Sequence, residues 1–135
     1  MAITLTDQDK LALRTAAYGA VSLMAAAGAA GSPHRIATHG SIALASATGP
    51  VGYVLAEKSK IAGLNGKSVA EIADHVLPAL TAAMGLLRKQ DPAEADNFRS
   101  TVLVAIEAGA RADKNGSGPA LAEMTRKITG ALDAA

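Results

Sequence analysis

Apolar residues recur at helical steps through most of this chain, and the clearest run lies between Ser68 and Ala112. Val69, Ile72, Val76, Leu80, Met84 and Leu87 follow one another at three- and four-residue steps, which places them on one face of a helix. Phe98, Val102, Ala105, Ile106 and Gly109 form a second such face. Ser68 stands where an N-cap belongs, since its hydroxyl can accept from an unpaired first-turn amide, and Glu71 completes a capping-box pattern. Arg88 and Lys89 fall in the last turn, where positive charge suits the carbonyl end of the dipole. Asp91 then repeats the cap, Pro92 presets the first helical position, and Glu94 again stands three residues on. A turn this short predicts two antiparallel neighbours.

The same signals divide the remainder. Thr6 caps a first helix, with Asp7 and Asp9 in its opening turn and Leu5 just outside. Leu13, Ala17, Val21 and Met24 give its inner stripe, which Leu11, Tyr18 and Leu23 are expected to widen, and glycine accumulates towards Gly31. Ser32-Pro33 restarts the pattern, with Ile36, Ala43 and Ala47 as buried candidates and Ile42 and Leu44 on adjoining faces. Gly49-Pro50 is expected to end that helix, because proline lacks an amide and disfavours helix at the residue before it. A short third helix is expected over Val51 to Lys60, with Tyr53, Val54 and Ile61 as large apolar residues, followed by a loop from Gly63 to Lys67. Pro78 lies inside the first arm of the hairpin and is expected to kink or split it. After a polar turn from Asp113 to Gly118, Pro119 opens a last helix with Leu121, Met124, Ile128 and Leu132 at helical spacing.

Composition narrows the class. The 135 residues suit one domain, and half of them are hydrophobic. Alanine and leucine favour helix, strand-type β-branched runs are missing, and the only aromatics are Tyr18, Tyr53 and Phe98. The expected fold is an all-α compact bundle of five to six helices around the central antiparallel hairpin, a single domain over 1–135. Small side chains imply closely packed helices and a thin core. A net charge of +1 with both signs interspersed gives no attraction to nucleic acid or an anionic membrane. The absence of cysteine excludes disulfides and thiolate chemistry and fits a cytoplasmic protein. The opening MAITLTDQDK lacks the pattern of a signal peptide. Ala16 to Gly31 falls short of the roughly 18 to 20 apolar residues needed to span a bilayer, so a buried central helix is expected there.

Several constellations resemble chemistry. Gly66-Lys67-Ser68 looks like the end of a phosphate-binding loop, but Ile61 occupies the position of the required glycine, and a helix, not a strand, precedes it. Asp113, Asn115, Ser117 and Gly118 match positions 1, 3, 5 and 6 of a calcium loop, making Asp113, Asn115 and Ser117 candidate metal ligands. The bidentate glutamate such a loop needs at position 12 is replaced by Met124, which favours a solvated turn. His34 and His39 are five residues apart and diverge on a helix, so they do not form a metal pair. His75 has Glu71 one turn back and Asp74 beside it, which makes these three the best acid–base candidates, although an exposed pair at that spacing is the commoner arrangement. Gly40-Ser41 lacks the flanking strand and second glycine of a nucleophile elbow, and the EIADH spacing does not suit a di-iron bundle. His39 and Tyr53 flank the glycine-rich middle of the chain, where missing side-chain bulk would leave a ligand cavity if the bundle has one.

Thr6 to Ala27 combines T-x-x-D with an alanine-rich helix, Lys89 to Ala95 carries [KR]-x-D-P-A-E-A, and a final A-x-L-A-E-M helix follows Pro119. In these features the chain resembles a family of small, uncharacterised bacterial alanine-rich helical proteins. The resemblance implies a compact helical bundle and assigns no functional residue. The expected role is therefore a soluble, non-enzymatic interaction or small-ligand-binding module with no cofactor. Its expected partner is a second copy, another protein or a small molecule, not nucleic acid or a membrane. The alternative is a metal-dependent or acid–base enzyme using Glu71 and His75 or the Asp113 loop.

Overall fold

Helices form where periodicity and capping chemistry coincide. The computed structural model describes residues 4–28, 32–56, 68–112 and 118–135. Six helices occupy them: α1 (Asp7–Ala27), α2 (Pro33–Ala45), α3 (Gly49–Ala56), α4 (Val69–Gln90), α5 (Pro92–Ala112) and α6 (Pro119–Asp133). No strand occurs among the described residues, and the chain is an all-α bundle. Two capping boxes close reciprocally, one between Thr6 and Asp9 and one between Ser68 and Glu71. Asp91 Oδ1 accepts from the Ala93 amide at 3.0 Å and starts α5 directly after α4.

The apolar stripes meet in one core. The expected inner residues of α4, α5 and α6 are buried, apart from Val69, which is half-buried at the end of its helix. In α1 the stripe holds, but Leu11 is 45% exposed. It lies two residues before Leu13, about 200° round the helix, and so points away from the stripe. The same geometry exposes Ile42, two residues from both Gly40 and Leu44, while Ile36, Gly40 and Leu44 share the buried face of α2. Ala43 and Ala47 are half-buried at its margin.

The hairpin's two arms hold unequal places. α1 and α5 each touch all five other helices, whereas α4 touches α1, α5 and α6. The most extensive helix contacts join α2 to α5 and α1 to α4. Glycine allows both. A Cβ on Gly109 would lie 2.9 Å from Ile36 Cγ2 and 3.1 Å from the Ile36 carbonyl oxygen, and one on Gly19 would lie 2.8 Å from Val76 Cγ2. Phe98, fully buried, is among the largest side chains in this thin, alanine-rich core.

Two boundaries differ from expectation. α2 ends at Ala45, where the last turn tightens: the Ser46 amide is shared between the carbonyls of Ile42 and Ala43, the Ala47 amide donates to that of Leu44, and the Ser46 hydroxyl donates to the Ile42 carbonyl at 2.9 Å. Gly49-Pro50 then opens α3 instead of closing α2. Gly49 has a φ of +76°, which a side chain would strain, and Pro50 sits in the first turn, where no intrahelical amide bond is lost. Tyr53, one of the large apolar residues expected in this helix, is exposed. The expected continuation to Lys60 and Ile61 lies outside the described residues.

Pro78 does not split its helix, since α4 runs unbroken from Val69 to Gln90. The proline is exposed, as is Asp74, whose carbonyl loses its usual amide partner and is left where water can meet it. The buried residues Ile72, Val76, Leu80 and Met84 anchor the helix on both sides of that point. Of Ala16–Gly31, the most membrane-like stretch by sequence, the part from Ala16 to Ala27 supplies much of the buried face of α1. By length and composition α4 is the one described helix that could cross a bilayer, a test that core helices also pass.

Candidate functional site

The α2–α3 turn is a shoulder held in place from α5. Glu94 Oε1 accepts from the Val51 amide at 3.2 Å, supplying a first-turn acceptor that α3 does not provide for itself. Asn97 Nδ2 donates to the Thr48 carbonyl at 2.9 Å, and the Gly52 amide donates to the same oxygen at 3.2 Å. A side chain at Gly52 is excluded by the Ala47 carbonyl, which would lie 2.3 Å from its Cβ. Below, Val51, Val54 and Leu55 are buried, and the Tyr18 hydroxyl donates to the Leu55 carbonyl at 2.7 Å. Partial burial of Tyr18 raises its pKa above the ordinary phenol value, so the group remains a donor throughout the neutral range.

With one face of α3 committed to the core, Tyr53 projects from the other and is 81% exposed. Beside it lies an open depression of about 540 Å³ lined by Ala47, Thr48, Gly49, Gly52, Tyr53 and Ala56. A second, of about 300 Å³, adjoins it through Ala47 and Thr48 and runs between α2 and α5, where Ala43, Ser46, Asn97, Ser100, Thr101 and Val104 complete its lining. Among the described residues none of those lining either depression is charged. Ile42 and Val104 add exposed apolar surface on the two helices that frame the second one. A third depression, of about 350 Å³ between α5 and α6, carries Glu107 and Arg111 beside Ala110, Leu121, Ala122 and Thr125.

The sequence candidates fall in different places. Glu71, Asp74 and His75 lie together on the exposed early turns of α4. The Glu71 carboxylate accepts from the Ser68 amide at 3.2 Å, and the Glu71 amide donates to Ser68 Oγ at 3.2 Å, so this residue serves the start of its own helix. Tyr53 borders an open surface depression in the glycine-rich stretch, where a ligand cavity was expected if the bundle has one. His39 is exposed on α2 and is absent from the lining. Among the described residues no three His, Asp or Glu side chains gather closely enough to hold a metal ion. Asp113, Asn115 and Ser117 lie outside the described residues.

Sequence reasoning passed over Glu94, Asn97 and Val104. Glu94 reads as part of a local capping pattern and Asn97 as an ordinary exposed polar residue, with no local sign of a distant partner. Val104 did leave a signal, being an apolar residue off the stripe formed by Val102, Ala105, Ile106 and Gly109. The chain matches no protein-family model, no curated protein and no solved structure, so the resemblance drawn above rests on the sequence alone.

Proposed function

We propose that this protein is a non-enzymatic interaction or small-ligand-binding module whose working surface is the α2–α3 shoulder. The observation that carries the reading is Tyr53, an aromatic side chain 81% exposed beside a depression whose described lining residues carry no charge. Tyrosine is enriched at binding surfaces because it offers apolar area with a polar tip. The shoulder is also fixed: Glu94, Asn97 and Tyr18 tie it to α5 and α1, so its shape is set before anything binds.

Native mass spectrometry of the protein purified from its host tests this reading. A bound molecule or second protein is expected, lost in Tyr53→Arg and retained in His75→Ala. A bound metal or small molecule that disappears in His75→Ala and survives in Tyr53→Arg would overturn the reading in favour of acid–base or metal chemistry at Glu71, Asp74 and His75.

A further inference from the structure

Resting on that reading, we infer that the shoulder binds a second copy of this chain, with Tyr53 of each copy filling the depression of the other. The shape is one argument. A projecting side chain stands directly beside a hollow lined by Ala47, Gly49, Gly52 and Ala56, all small residues. Two-fold rotation brings each knob over the other copy's hollow, so one surface supplies both halves of the fit.

Charge is the second argument. A two-fold contact brings groups near the axis close to their own copies, and like charges there would repel. Among the described residues the lining of both depressions carries none, in a chain of which 19% is charged. Its hydroxyls on Thr48, Tyr53 and Ser100 each both donate and accept, so each can pair with an identical group. A carboxylate or an ammonium could not. The alternatives fit less well. Small ligands are held in hollows that enclose most of their surface, and both of these lie open. An acidic or basic partner would find no opposite charge among the described residues of the lining.

Sedimentation equilibrium of the full chain from micromolar to several hundred micromolar tests the inference. The variants are Tyr53→Arg and Ala56→Glu, with Leu11→Arg as an exposed control on α1 and circular dichroism to confirm folding. A reversible dimer is expected for wild type and Leu11→Arg, and dissociation constants at least about thirtyfold higher for both shoulder variants. A wild type that stays monomeric throughout overturns the inference. So does a dimer that survives both shoulder variants or is equally lost in Leu11→Arg. A monomer that still carries a bound molecule lost in Tyr53→Arg would sink the second copy alone and leave the proposed role of the shoulder standing.

Discussion

The two arms of the hairpin begin alike and use the same residue differently. α4 opens on Ser68-x-x-Glu71 and α5 on Asp91-x-x-Glu94. Glu71 turns back to its own cap, with Oε1 on the Ser68 amide, while Glu94 reaches across to the Val51 amide of α3, 43 residues away in sequence. Asn97 and Arg99 continue the outward pattern, to the Thr48 carbonyl and to Asp133. In α4 a comparable side-chain reach appears beyond Pro78, where Thr81 Oγ1 donates to the Ala131 carbonyl at 2.6 Å. The difference follows from position. The first turns of α4 lie at the margin of the bundle, whereas α5 is surrounded, so its polar side chains lie within range of polar groups on its neighbours. A central helix can thus cap its neighbours.

The strongest way to break this comparison is to add the same methyl group to each arm. Gly109 of α5 faces Ile36 on α2, and the second-nearest atom to an added Cβ is a backbone carbonyl, which cannot rotate aside. In Gly109→Ala the two helices must part, an overpacking cost of about 1–3 kcal/mol, larger than the roughly 1 kcal/mol that alanine gains in helix propensity. At Gly85 of α4 nothing lies within 4 Å of the added Cβ. Gly85→Ala is therefore expected to stabilise by about 0.5–1 kcal/mol. Urea denaturation of both variants checks the pair. Equal shifts of the same sign would mean that the close approach of α2 and α5 is not what limits Gly109.

How far the sequence reveals these features depends on where each partner lies. The stripes of α4, α5 and α6 follow from spacing, and the Ser68–Glu71 box from residues three apart, so each was legible from a few consecutive positions. The close α2–α5 pairing was not. It depends on Gly109 facing Ile36 and on Gly40 lying near the Ala105 carbonyl across the fold, and a glycine in a helical pattern does not name its neighbour. The shoulder was half legible. The cluster of Gly49 and Gly52 near Tyr53 marked where bulk is missing, but whether Tyr53 turns inward or outward depended on which face of α3 met Tyr18 and Glu94. The start of α3 at Gly49 was hidden for the same reason, because the acceptor for its first-turn amide at Val51 comes from another helix.

Removing each glutamate in turn sharpens the comparison, with a smaller effect. Glu71→Ala and Glu94→Ala should each cost about 1 kcal/mol, the usual value of a capping interaction. The damage should fall in different places. Loss of Glu71 should loosen the first turn of α4, while loss of Glu94 should speed amide exchange at Val51 by about tenfold and leave the start of α5 protected, because Asp91 still accepts from Ala93. Glu94→Gln keeps a carbonyl oxygen at the same reach and should restore most of the protection. Native-state exchange read residue by residue decides the matter: unchanged protection at Val51 in Glu94→Ala would remove α5 from the support of the shoulder.

The smallest test asks whether the outward reach of α5 extends to α6. Arg99 meets Asp133 with both nitrogens, Nε to Oδ1 at 2.7 Å and an Nη to Oδ2 at 3.2 Å. Those bonds hold the Asp133 carboxyl below its ordinary value of 3.8, chiefly by hydrogen bonding to the ionised form, and they raise Arg99 in the complementary sense. A depressed carboxylate adds stability that is fully present above the unfolded value and fades as pH falls through the lower folded one. Wild type and Arg99→Gln should accordingly differ slightly in denaturation midpoint at neutral pH and converge as pH drops below about 3.8, where the unfolded-state aspartate binds its proton. The side chains are 34% and 50% exposed, so the neutral-pH difference should shrink further in high salt. A carboxyl-resolved NMR titration gives the direct reading: in Arg99→Gln the Asp133 midpoint should move up, and if it does not, the geometry seen between α5 and α6 is not a working ion pair in solution.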